Sequence, residues 1–186
     1  MNVKINIKDS ILETNRLVLR PFKRSDLDDF YAYAKVWGVG QMAGWLPHQS
    51  IKQSQEILEK FIEGEKTFAI VYKNNHKVIG SIGIENLRNI DEEKLKKLKG
   101  RELGFVLSKE YWGLGIMPEA VKKVIDYLFH DCNLDFITCS YFIDNNQSKR
   151  VQEKCGFKFL KKVILPTQMQ EKEGNLNIIY KNDIVS

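Results

Sequence analysis

Cysteine is scarce: Cys132, Cys139 and Cys155 are the only three in 186 residues. The count is odd and no two form a CxxC pair, which argues against a disulfide scaffold and against a zinc site. No metal is expected, and the thiols suit a reducing cytoplasm. Proline is scarce too, with four residues. No Pro/Gly/Ser-rich linker and no internal repeat divides the chain, so a single domain over residues 1–186 is expected, at about 150 residues per domain. Long hydrophobic runs are missing. Apolar stretches such as Thr67-Phe-Ala-Ile-Val-Tyr72 fall far short of the roughly 20 residues of a membrane-spanning helix. Residues 1–9 lack the continuous apolar stretch of a signal peptide. No basic tail or arginine-rich arm points to nucleic acid. Neither a membrane nor a nucleic acid is therefore expected as a partner.

What is present is an ordinary core-forming composition, 43% hydrophobic and 28% charged, enough apolar content to offset the entropy of ordering. With 29 basic and 24 acidic residues the net charge is +5. That excess suits an anionic ligand and equally suits a plain solvated surface.

Arg16–Pro21 reads as a short strand closed by proline. Ser25-Asp-Leu-Asp-Asp29 supplies a cap and first-turn acids for a helix expected to reach Trp37, before Gly38 and Gly40. Ser50-Ile-Lys-Gln53 is a capping-box pattern, and Ile57, Leu58, Phe61 and Ile62 follow at helical spacing. Strands are expected at 67–73 and 78–85, the second of them central, joined by the hairpin signal Asn74-Asn75-His76. The stretch 91–100, with Lys94, Lys96, Lys97 and Lys99, reads as a solvated loop or short helix, or as a basic rim for an acidic partner. A strand at 102–107, a helix from Pro118 to Asp131, a strand at 136–142, a short helix at 148–154 and strands at 157–165 and 176–181 complete an α/β (mixed α+β) order. His76 and His130 are expected at the surface, and Cys155 as buried filler.

The most informative stretch is Glu110-Tyr-Trp-Gly-Leu-Gly-Ile-Met-Pro-Glu-Ala120. A strand ends, a turn with glycines at 113 and 115 follows, and a helix opens with Pro118 expected at its first position. The first N–H groups of a helix lack internal partners, and with the helix dipole they attract an anion. Taken alone, the pattern fits a tight strand-to-helix turn somewhat better than an anion site. No Gly-Lys-Ser/Thr follows, so it is not a Walker A loop.

Two further motifs flank this turn. Glu102-Leu-Gly-Phe-Val-Leu107 precedes it, and Asn145-Asn-Gln-Ser-Lys-Arg-Val-Gln-Glu-Lys-Cys-Gly-Phe157 follows about thirty residues later. With Thr14-Asn-Arg-Leu-Val-Leu-Arg-Pro-Phe22, the set resembles the GNAT (GCN5-related) N-acetyltransferases, and within them the RimJ/RimL-like branch that acetylates protein N-termini. The resemblance covers about residues 11–182.

It implies a GNAT fold: a mixed, mostly antiparallel sheet of six to seven strands, splayed in the middle, with helices on both faces. It implies acetyl-CoA as cosubstrate and direct transfer of its acetyl group to a primary amine. Phe105, Val106 and Leu107 would then meet the pantetheine arm and thioester, with a backbone N–H near Val106 on the carbonyl oxygen. The N–H groups around Trp112, chiefly Gly113, Gly115, Ile116 and Met117, would hold the pyrophosphate. Met117 stands where the family usually has Gly or Ala. Glu102 is the candidate base for the incoming amine; its plain alternative is a strand-edge carboxylate paired with Arg101 or a lysine. Asn145 and Ser148 are candidates for coenzyme contact, or are helix caps. Gln152 occupies the position of the family's usual tyrosine acid, leaving Ser148 as the candidate acid. Trp45 and His48 would line the acceptor pocket or pack the loop between the first helices. Lys109, Lys149 and Arg150 would meet the adenosine phosphate. The acceptor would be a protein N-terminus, such as a ribosomal protein, or a small amine or antibiotic; a non-catalytic CoA-binding module is the alternative. The strand at Leu176–Lys181 is expected at a sheet edge, where it could support a homodimer.

Overall fold

The computed structural model describes residues 1–183. Strands β1 (Leu12–Glu13) and β2 (Leu17–Pro21) lead through α1 (Leu27–Ala34) and α2 (Ile51–Gly64) to the hairpin β3 (Thr67–Tyr72) and β4 (Val78–Glu85). Helix α3 (Glu93–Lys96), β5 (Gly100–Leu107), α4 (Ile116–His130) and β6 (Phe136–Phe142) follow, then α5 (Asn146–Lys154), β7 (Lys158–Leu165) and β8 (Lys172–Tyr180). The strands form one sheet in the order β1-β2-β3-β4-β5-β6-β8-β7. It has eight strands rather than six or seven, because Leu12–Glu13 adds a two-residue strand to β2.

The faces follow from the period of two along a strand. On β3, Phe68 and Ile70 enter the main core with Val121, Val124 and Leu128 of α4. The alternate residues Ala69 and Val71 pack on the other face with Phe30 of α1 and Leu58 of α2. Covering both faces is why β3 reads as an unbroken apolar run rather than an alternating one. Ile5 and Ile7, ahead of β1, are buried in the same core.

Helix α1 starts where Asp26, almost fully buried, accepts the Lys23 N–H at 2.8 Å and a two-pronged bond from Arg20 at 2.7 and 2.8 Å. It stops at Ala34, not Trp37; a 3-10 turn at Gly40–Ala43 follows, and the Ala34 carbonyl takes the His48 N–H instead of continuing the helix. At α2, Ser50 accepts the Gln53 N–H as its motif requires, but the Gln53 side chain caps Gln49 one residue earlier.

The closing strand is not an edge. β8 lies between β6 and β7, because the β7–β8 hairpin folds its second strand back against β6. The expected dimer contact through Leu176–Lys181 therefore has no free edge to use. β7 is the outer strand, and Lys158, Lys161 and Lys162 along it blunt strand addition. No helix among the described residues is long and apolar enough to cross a membrane.

Candidate active site

Among the strand pairings of the described residues only β5–β6 is parallel. A parallel pair needs a crossover, and α4 supplies it. The two strands stay together only from Gly100–Leu103 against Phe136–Cys139. Beyond that, β5 remains paired with β4 as far as Leu107, while β6 remains paired with β8 as far as Phe142. The sheet forks, and the fork holds a cavity of about 480 Å³.

Its β5 wall is Gly104, Phe105, Val106 and Leu107. The Ser108 N–H bonds the Ile79 carbonyl at 2.8 Å. By the alternation of an antiparallel ladder, Val106 then faces β4, while the N–H groups of Phe105 and Leu107 face the gap. The Leu107 carbonyl is taken by the Trp112 indole N–H at 2.8 Å. Backbone donors at this depth need partners, so this half-strand is an edge ready for an extended ligand that carries amides.

The glycine turn sits at the carboxyl end of β5. Gly113 and Gly115 have φ of +78° and +73°, a left-handed conformation that glycine adopts without a Cβ clash. Helix α4 begins at Ile116, so Pro118 is its third residue rather than its first. The first bond within the helix runs from the Glu119 N–H to the Gly115 carbonyl. The N–H groups of Ile116 and Met117 are left over in the first turn, and Pro118 has none to lose. The Met117 side chain is buried in the main core, so its bulk leaves the backbone amides open.

Two sequence motifs meet at this turn. Glu119 accepts from the Thr14 hydroxyl, from the Arg16 backbone N–H at 3.2 Å and from Arg16 Nε at 2.7 Å, while Arg16 Nη1 donates to the Leu114 carbonyl at 2.9 Å. Burial pushes the Glu119 carboxyl pKa up, but the bonds from Thr14 and Arg16 outweigh it and hold the group below its ordinary value.

At the other end of the cavity stands Glu102, with its side chain 3% exposed. Its Oε1 accepts from Ser140 Oγ at 2.7 Å and from Arg88 Nη2 at 3.3 Å, and Oε2 accepts the Arg88 N–H at 3.3 Å. Its partner is thus Arg88 and not Arg101, which turns away to the Val3 carbonyl and Asn86 Oδ1. Neither Arg88 nor Ser140 stood out in the sequence. Ser140 could have been found by counting along β6 to the first residue past the parallel pairing; Arg88, in a loop, carried no signal.

Asn145 and Ser148 both line the cavity at the start of α5. Asn145 is a cap as well: Oδ1 takes the Ser148 N–H at 3.0 Å, and Nδ2 bonds the Met42 carbonyl at 3.1 Å. Ser148 Oγ receives a bond from Gln152 Nε2 at 3.2 Å. Trp45 and His48 do not line the cavity. His48 packs edge-on against Phe30 and Trp45 lies on the His48 ring; His48 Nδ1 meets Ser54 Oγ at 2.7 Å, and burial lowers the imidazole pKa. Val39, Met42 and Ala43 line the cavity instead, with Leu165 and Pro166 from the end of β7. Of the three expected phosphate-side cations, Arg150 lines the cavity, joined by Lys154; Lys109 lies over the Trp112 ring and Lys149 pairs with Glu153. His76 and His130 are exposed. Cys155 is buried, and burial pushes its thiol up to about 11. Among the described residues no cluster of three His, Cys, Asp or Glu side chains is arranged to hold a metal.

The family model for the acetyltransferase (GNAT) domain matches residues 16–158. The chain belongs to the GNAT acetyltransferases. Like the relatives it matches, it is an N-acetyltransferase. It is 30% identical over 152 residues to the uncharacterized N-acetyltransferase p20 of Bacillus licheniformis, covering 78% of this chain and 81% of that one. The ribosomal-protein-S5-alanine acetyltransferase of Vibrio fischeri superposes with a TM-score of 0.71 at 26% identity, over 94% of this chain and 98% of that one. The spermidine N-acetyltransferase of Vibrio cholerae, solved with CoA and spermine, gives 0.74 at 18% identity over 93% and 100%. GNAT acetyltransferases use acetyl-CoA, and the fork, with its free strand edge and amide-lined turn, has the chemistry to take it.

Proposed function

We propose that this GNAT enzyme binds acetyl-CoA in the β5–β6 fork and transfers the acetyl group directly to a protein N-terminal amine, as in the RimJ/RimL-like branch. The observation that carries the reading is the single cavity joining the amide-lined turn at Gly113–Met117 to Glu102 and Ser148. The pyrophosphate sits on the amides of Gly113, Gly115, Ile116 and Met117, next to Trp112. The pantetheine arm runs along Phe105, Val106 and Leu107, past Asn145. The amine nitrogen attacks the thioester carbonyl carbon, the C–S bond breaks, and coenzyme A leaves as its thiol.

Glu102 is the base that takes the amine proton, directly or through water. The inward N–H of Phe105, nearer Glu102, stabilises the oxyanion as a fixed dipole that needs no reorganisation, and that of Leu107, roughly 6.6 Å further along the strand, meets the pantetheine arm. The Ser148 hydroxyl relays a proton to the leaving sulfur while taking one up from solvent, so that no alkoxide is left behind. The Thr14–Phe22 motif, and the higher identity to the ribosomal-protein acetyltransferase (26%) than to the spermidine enzyme (18%), favour a protein N-terminus over a small amine. The three unpaired cysteines suit work in the reducing cytoplasm.

The test is release of CoA thiol from acetyl-CoA across a panel of N-terminal peptides and small amines. Peptide-dependent release that falls in Glu102→Gln supports the reading. Tight CoA binding without release from any amine would make the chain a non-catalytic CoA-binding module.

A further inference from the structure

Arg88 lines the cavity and has no part in the coenzyme chemistry assigned above. It sits beside Glu102, five residues and roughly 17 Å along β5 from Leu107, where the phosphate turn begins. The pyrophosphate is therefore out of its reach. Its side chain is 53% exposed, and the bond from its guanidinium to Glu102 is single and long at 3.3 Å. The contrast with Arg20, which grips Asp26 with two bonds of 2.7 and 2.8 Å, is direct. Arg20 is committed to the fold, whereas Arg88 keeps most of its donor fork unspent.

The surroundings narrow what that fork can meet. The apolar lining of the cavity is Val39, Met42, Ala43, Phe142, Leu165 and Pro166. The other charged cavity residues, Arg150 and Lys154, belong to α5 on the coenzyme side. Glu102 is the only carboxylate lining the cavity among the described residues. One carboxylate with an arginine beside it is a poor receptor for a polycation. It is a good receptor for an amine that carries an anion of its own, because arginine binds carboxylates through paired N–H donors.

We infer that Arg88 selects acceptors bearing a carboxylate close to the reacting amine. The inference rests on the acetyltransferase reading above. In binding such an acceptor, Arg88 exchanges its long bond to Glu102 for the substrate's carboxylate. Oε1 of Glu102 is then left with Ser140 and a free lone pair for the amine proton. The carboxylate has two possible sources: a free amino acid, or an acidic side chain next to a peptide N-terminus.

Matched acceptors decide the matter. kcat/KM is measured for alanine against alaninamide, and for a peptide amide beginning Ser-Asp against one beginning Ser-Asn. The amide of the first pair has the less basic amine and so starts with an advantage; a preference for the acid runs against it. The expected result is a preference of roughly tenfold or more for the acid in at least one pair, the scale of a charge-assisted hydrogen bond. The pair showing it identifies the source. In Arg88→Gln the ratio falls toward one, and in Arg88→Lys it stays intermediate. A ratio is unaffected by the fraction of protein that folds, so poor folding of a variant does not mimic the result. Equal rates within both pairs, or a ratio that survives Arg88→Gln, would overturn the role of Arg88 while leaving the enzyme reading intact. No thiol release from any acceptor overturns both.

Discussion

Nε2 of Gln152 donates to Oγ of Ser148 at 3.2 Å, and the same nitrogen reaches the Ser140 carbonyl at 3.4 Å. The carbonyl settles the orientation of the amide, since a flipped Gln152 would set oxygen against oxygen. Ser148 Oγ is then an acceptor toward Gln152, and its own proton is left to point into the cavity. Oε1 of the fully buried Gln152 has no partner, a cost the fold carries at this site.

From this arrangement Ser148→Ala is expected to lower kcat by roughly a hundredfold, the lower end of general-acid contributions. Its KM for acetyl-CoA should change little. Gln152→Met fills the same space, removes the orphaned oxygen and should leave stability nearly intact. It should lower kcat in the wild-type background and do nothing further in Ser148→Ala. Independent, multiplying losses in the double variant would mean that Gln152 does not act through Ser148.

Glu102→Gln is expected to reduce kcat/KM by about a hundredfold near neutral pH. The deficit should shrink as pH rises, because more of the acceptor then arrives already deprotonated and the base has less to do. A pH–rate series on both proteins checks this. A deficit that stays constant across the series would reduce Glu102 to a structural carboxylate held by Arg88 and Ser140.

At Gly113 an added Cβ would meet no atom within 4 Å, so Gly113→Ala tests backbone conformation alone. An alanine held at φ +78° costs on the order of 1–2 kcal/mol. The turn is expected to relax away from the amide-presenting form. Acetyl-CoA affinity should fall roughly tenfold with kcat largely spared, as CoA titration and steady-state kinetics would show. Unchanged affinity would take the pyrophosphate off this turn.

Most elements were legible because their signals are local. The unbroken apolar run of β3, the glycine turn before α4 and the Ser50 cap each depend on neighbours in sequence. What stayed hidden depends on partners far along the chain. The Arg88–Glu102 contact joins a loop to a strand, and the burial of His48 follows from its packing against Phe30, with Trp45 half-buried on the His48 ring. The interior place of β8 is set by pairing with β6, which begins more than thirty residues earlier. Pro118 misled by two positions because proline fits anywhere in the first turn, where no N–H is required.

The Glu119 cluster should also be visible as a pH dependence of stability. Bonds from Thr14 and Arg16 hold its folded pKa below the ordinary value of 4.5. In the carboxylate range the unfolded chain therefore binds more protons, and stability rises with pH. The contribution is complete above the ordinary value and is lost as pH falls through the lowered one. Glu119→Gln is expected to be less stable than wild type at neutral pH, by a modest amount because Arg16 is 40% exposed. Urea midpoints of the two proteins should converge on acidification, as the wild-type carboxyl takes up its proton and comes to resemble the amide. The same variant loosens the grip of Arg16 on the Leu114 carbonyl, so weaker CoA binding should accompany the stability loss at neutral pH. A stability gap that persists undiminished through the carboxylate range would show that Glu119 contributes by packing and not by charge.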